Sequence, residues 1–205
     1  MTSRRTLAAL ALVASANLVG CGHPGSGSGW TVTVYYTAVE SLHSELAPSV
    51  RGCLTIDCAN GDADLGSYPA DFVRAVHDEG TGRVTSAPNA GHYLNWSSDV
   101  GYWLDTAARA ADGKPLVPFH TAAADGLAQG ATVRLTACGS EQDGPPAPAV
   151  CGRLREPTWT ISDAFTPGLG GDLHIDLYIG EETGVDFTDD PMFTTLVGAV
   201  VTVSR

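Results

Sequence analysis

Short runs in which β-branched and aromatic residues alternate with small or polar ones, broken repeatedly by glycine, constrain this chain more than any other feature. Residues 30–39 (WTVTVYYTAV) read as a first strand, and residues 131–136 as another after the turn Gln129-Gly130. Residues 159–165 and 173–179 continue the pattern, and residues 194–204 (TTLVGAVVTVS) close the chain as an apolar strand. One segment has the helical period instead. Between Tyr68 and Gly80, Phe72, Val73 and Val76 share a face, Pro69 suits the first turn and Gly80 can end it. Residues 52–68 are turn-rich and acidic and read as a loop. The fold expected is mainly β, a small barrel rather than a helical or doubly wound domain.

The N-terminus reads as an export signal. Arg4 and Arg5 precede a run of small and apolar residues that ends at Cys21, too short to be a comfortable permanent span. Leu18-Val19-Gly20-Cys21 looks like a bacterial lipobox, in which Cys21 is lipidated and becomes the new N-terminus; an ordinary cleaved signal is the alternative. Residues 1–20 are thus expected to be the signal and 21–29 a flexible Gly/Ser linker. Residues 30–205 are left as one domain outside the cytoplasm, held at the membrane by a lipid. In that setting the cysteines after Cys21 should pair. Joining neighbours, Cys53 with Cys58 and Cys138 with Cys151, would staple two loops and is preferred to the crossed alternatives. Zinc is disfavoured, because neither pair has knuckle spacing. With 23 acidic against 11 basic residues, the chain repels phosphate backbones, so nucleic acid is not an expected partner.

A further pattern joins the strands. Tyr36-Thr37-Ala38, Ala123-Ala124-Asp125 leading into Gln129-Gly130, Ile161-Ser162-Asp163 and Gly170-Gly171-Asp172-Leu173-His174-Ile175-Asp176-Leu177-Tyr178 together resemble the three-aspartate (3D) domain of bacterial cell-wall proteins. Asp125, Asp163 and Asp176 match its aspartates in order. Two departures stand out: no proline follows Asp125, and the stretch from Asp163 to Asp176 is longer than the family's. The resemblance implies a six-stranded double-psi β-barrel related to the C-terminal part of membrane-bound lytic transglycosylases, interrupted here by an insertion at about residues 40–120. It also implies an acid/base aspartate at Asp176. In that chemistry one carboxyl group protonates the glycosidic oxygen, then as carboxylate takes the proton of a sugar hydroxyl, leaving an anhydro-sugar without using water.

The residues have a reading of their own. Alternation in the strand at 173–179 puts His174, Asp176 and Tyr178 on one face and Ile175, Leu177 and Ile179 on the other. In the strand at 159–165 it puts Asp163 on a face with Trp159, Ile161 and Phe165, where a carboxylate must be hydrogen-bonded or else stay protonated. Two carboxyls in different environments suit divided acid and base roles. Asp163 therefore either assists Asp176 or ties the Gly-rich loop, and Asp125 is expected to cap its turn through backbone N–H groups.

Tyr93, Trp96, Tyr102 and Trp103 either form a sugar-stacking platform, with Trp96 and Trp103 its candidates, or the core of the insertion; the core is the expectation. His77-Asp78-Glu79 reads as a solvated helix end, and Glu40 and His43 as polar surface. The overall expectation is a monomeric cell-wall lipoprotein, free of metal and cofactor, that acts on peptidoglycan glycan strands. A non-catalytic polysaccharide- or protein-binding barrel of the barwin or expansin kind is the alternative.

Overall fold

The computed structural model describes residues 26–205, so the signal-like leader, Cys21 and the start of the spacer lie outside the described residues. In chain order the elements begin with β1 (Gly27–Val39), β2 (Ser49–Gly52), β3 (Ala63–Ser67), α1 (Ala70–Glu79), β4 (Thr81–Arg83), β5 (Tyr93–Ser97) and β6 (Gly101–Asp105). They continue with β7 (Thr121–Ala123), β8 (Thr132–Ala137), α2 (Pro148–Arg155), β9 (Trp159–Asp163), β10 (His174–Glu181) and β11 (Leu196–Ser204). β1 pairs in parallel with β10, and β10 continues through β7, β9, β8 and β11 back to β1, which closes a six-stranded mixed barrel. Closure removes the exposed edges that an open sheet of this size would present.

Alternation explains what fills the barrel. Val32, Val34 and Ala38 of β1 point inward with Ile175 and Leu177 of β10 and Ile161 of β9, all in one apolar cluster. Trp30 and Trp159 are fully buried at its heart. Burying a side chain of that size contributes about 2–3 kcal/mol. The outward positions of β1, from Tyr35 onward, are buried as well. The reason is the insertion between β1 and β7, which lies over them.

That insertion grows from the barrel's own sheet. β4 runs parallel to the end of β1, pairing Ala38 with Gly82 and Val39 with Arg83, and the β5–β6 hairpin extends it. α1 packs Phe72 and Val76 over this extension. Gly82 is required there, since a Cβ would run into both Val76 and Phe72. Gly80 ends α1 in the left-handed conformation (φ 86°), as its place after the helical run predicts.

Four expectations need correction. β1 starts at Gly27, because Gly27 and Ser28 pair with Val201 and Val200 of β11; the last part of the 21–29 spacer is therefore strand. The stretch 52–68 contains β3, whose pairing with β2 gives its acidic turn residues a ladder. The Pro-rich stretch between Cys138 and Cys151 ends in a second helix, α2, with proline in its first turn. The Cys138–Cys151 bond (Cα–Cα 5.9 Å) thus joins a helix to the end of β8, and Cys53–Cys58 (5.6 Å) closes a tight loop, so each cysteine bonds its neighbour. Finally, Asp163 does not share the inward face of Trp159 and Ile161. Ala122 pairs with Ile161 but Ala123 with Asp163, so Ser162 is an extra residue, and this bulge turns Asp163 outward toward Tyr35.

Candidate active site

The parallel register of β1 and β10 sets Thr31 opposite His174, Thr33 opposite Asp176 and Tyr35 opposite Tyr178, all on the barrel's outer face. Period two therefore brings a row of polar groups together beneath the insertion. The Thr33 hydroxyl donates to Asp176 Oδ1 at 2.7 Å and lies 3.0 Å from His174 Nε2. A threonine has one hydroxyl proton. While it goes to Asp176, the imidazole must donate from Nε2, which fixes the ring's tautomer. Phe165 packs on the other side of His174, ring centroids 4.5 Å apart, and burial holds the imidazole below its ordinary pKa.

Asp163 comes to the same place from β9. It accepts from the Tyr35 hydroxyl at 2.8 Å and from the amides of Ala111 and Ala164 at 2.8 and 2.9 Å. Burial raises its pKa against the pull of those donors. Asp176 has fewer donors. Burial, with the Asp163 charge adding to it, pushes Asp176 up to about 7 in spite of the Thr33 hydrogen bond. At neutral pH the site thus offers one carboxyl that exchanges its proton readily beside another fixed by several donors.

Both aspartates line a cleft of about 660 Å³ between the barrel face and the insertion. Its far wall is built by the end of α1 and by β5 and β6, and includes Glu79, Trp96 and Trp103. Trp96 keeps part of its surface open and stacks on His77 at 4.1 Å between ring centroids. Trp103 is only 3% exposed and packs with Val100 and the Cys53–Cys58 bond, so it is core of the insertion before it is wall. The cleft is acidic. Asp78, Glu79, Asp99, Asp163 and Asp176 face it, while its basic residue, Arg109, is held at both forks by Asp105 (2.9 and 2.7 Å).

The remaining candidates take supporting places. Tyr178 is buried, stacked on Tyr35, with its hydroxyl 2.6 Å from that of Thr37, which in turn meets Thr81. Asp125 stays outside the cleft. Its carboxylate packs over Gly170, where a Cβ would collide with it. Glu40 and His43 are not free polar surface. Glu40 is buried and accepts from the amides of Thr85 and Ser86 at 2.7 and 2.8 Å. His43 bridges Glu182 (2.8 Å) and Asp71 (3.3 Å), which clamps α1 to the end of β10.

Sequence reasoning missed three residues. Thr33 and Tyr35 were hidden because only the register of two distant strands shows what they face. Glu79 reads from the sequence as part of a solvated helix end. The available signal was its sign: a carboxylate at a helix C-terminus opposes the dipole and calls for a local reason.

No protein-family model matches this chain, and no curated protein does. Solved structures do. A membrane-bound lytic murein transglycosylase from Agrobacterium tumefaciens superposes with a TM-score of 0.52 at 11% identity, over 85% of this chain and 73% of that one. Escherichia coli MltA with bound chitohexaose does so with a TM-score of 0.50 at 10% identity, over 85% and 72%. At such identities the likeness is one of architecture, and it agrees with the strand pairing that closes the ring. The chain folds as an MltA-like double-psi β-barrel domain carrying an insertion over one face.

Proposed function

We propose that this protein cleaves or remodels the glycan strands of peptidoglycan from the outer face of the cell membrane, tethered by a lipid on Cys21. The observation that carries the reading is Asp176, a largely buried carboxyl with its pKa near 7, at the floor of an open cleft beside Asp163. Such a group can be an acid in one half of a reaction and a base in the other. Asp176 would protonate the glycosidic oxygen and then accept the proton of a sugar hydroxyl as that oxygen closes on the anomeric carbon. One carboxyl returned to its starting state needs no second acid and no water. Asp163, fixed by Tyr35 and two amides, supports the charge balance of Asp176. Trp96 offers an apolar ring to a sugar face. A glycan in the same architecture has a counterpart in the chitohexaose bound to the E. coli protein.

The test is incubation of the mature domain with purified cell wall, followed by mass spectrometry for anhydro-muropeptides, with Asp176→Asn as control. Anhydro products from the wild type alone are expected. Cell-wall retention without product from either protein would favour a binding module and overturn the catalytic reading.

A further inference from the structure

Of the cleft carboxyls that the reaction above does not use, Asp78 and Asp99 are exposed and Glu79 is half-buried. Glu79 ends α1, and the insertion delivers it to the wall facing the barrel. Its Oε2 accepts the amide of Tyr36 at 3.2 Å, at the point in β1 where the pairing with β10 slips between Tyr35 and Thr37. That bond anchors one oxygen to the barrel, so the side chain links the two walls of the cleft. It makes no ion pair among the described residues. The charges around it are all negative: Asp78 on its own helix, Asp176 on β10 and Glu182 just beyond it. Elsewhere on the cleft wall stand Asp99, Asp163 and Arg109, the last already held by Asp105. A group so placed keeps its proton, and burial with those neighbours pushes it up to about 8. A neutral carboxyl has what a carboxylate lacks, an O–H donor, and with Oε2 occupied by Tyr36 that donor belongs to the remaining oxygen.

Resting on the glycan reading above, we infer that Glu79 is a substrate-binding residue that works in its protonated form, donating a hydrogen bond from the insertion wall to a neutral acceptor oxygen of the glycan and so holding the sugar against Asp176. An amide side chain imitates a protonated carboxyl in shape, charge and donor. Glutamine should therefore replace Glu79, and alanine should not.

The experiment is titration of chitohexaose, followed by calorimetry, in an Asp176→Asn background, which removes the neighbouring titration from the signal. Affinity should fall about tenfold as pH rises from 6.5 to 9.5, the loss of one hydrogen bond together with a new buried charge. Adding Glu79→Gln should abolish that fall, whereas adding Glu79→Ala should weaken binding about tenfold at the lower pH and remove the pH dependence. Cellohexaose is the companion probe. An effect of Glu79→Ala on chitohexaose alone assigns the contact to an acetamide carbonyl, and one on both assigns it to a hydroxyl. Equal binding by the Gln and Ala variants, with melting curves showing both folded, would overturn the inference and leave the glycan reading standing. No binding of chitohexaose by any of the proteins would overturn both.

Discussion

The two walls of the cleft are built on different principles. The barrel wall is a strand register: Thr33, Tyr35, His174 and Asp176 meet because β1 and β10 run in parallel with a fixed pairing. Ladder hydrogen bonds and a filled core define their positions, so each side chain has little freedom to move. The insertion wall is an assembly of ends. Glu79 is the last residue of α1, Trp96 sits near the turn of a hairpin, and the helix is held to the barrel by His43 between Asp71 and Glu182. Chemistry that needs a carboxyl placed to a fraction of an ångström belongs on the first wall. Adaptable contact with a substrate belongs on the second.

The largest effect that separates them is catalytic. Asp176→Asn keeps the shape of the barrel wall but removes the exchangeable proton, and anhydro-product formation should drop by roughly 10³-fold while chitohexaose still binds. A residual rate within tenfold of wild type would show that the barrel wall does not carry the reaction. The next effect is on stability. Phe72→Ala hollows the contact between α1 and β4 and should cost about 3–4 kcal/mol in chemical denaturation. If the insertion is the less tightly integrated wall, proteolysis of that variant should begin between residues 40 and 120 and leave the barrel strands protected.

The other effect on stability comes from pH. Glu79 and Asp176 have folded pKa values of about 8 and about 7, above those of unfolded carboxyls. Each contributes stability that is fully present below the unfolded value near pH 4. That contribution is lost as pH rises through the folded value, since deprotonation then places a charge where burial disfavours it. The wild-type melting temperature should therefore fall between about pH 5 and 9. Glu79→Gln should recover up to about 5 kcal/mol at pH 9 and change little at pH 4. Equal pH profiles for the variant and the wild type would mean that Glu79 is already charged at neutrality.

The contrast between the walls also explains what the sequence made legible. The face of Asp176 could be read from alternation, because β10 is regular from His174 to Tyr178 and its inward residues there are apolar; its acid/base role is what the three-aspartate resemblance implies. Asp163 could be named but not oriented: the bulge at Ser162 reverses its face, and nothing in WTISD marks the extra residue. Thr33 and Tyr35 needed the pairing of strands more than a hundred residues apart, which the three-aspartate resemblance implied only as an architecture. The insertion was the least readable part. Its strands are short, its helix end carries a half-buried glutamate, and its clamp joins His43, Asp71 and Glu182 from three separate segments. Tertiary contacts of that kind leave no local period to detect.

The smallest predicted effect tests the barrel wall from within. Thr33 donates to Asp176 and by that bond lowers its pKa against the burial that raises it. Valine is nearly isosteric with threonine and removes only the donor. Thr33→Val should therefore raise the pKa of Asp176 further, by about one unit for a hydrogen bond of about 1.4 kcal/mol. In the proposed reaction the first half-step needs Asp176 protonated, so the alkaline limb of kcat should move to higher pH by the same amount, with the rate at its optimum little changed. The same variant frees His174 from its donor role, which makes the alternative outcome informative. A loss of kcat at every pH with no movement of the limb would assign Thr33 to placing the His174 ring instead of tuning Asp176. A register-built wall would then act through its packing more than through its proton.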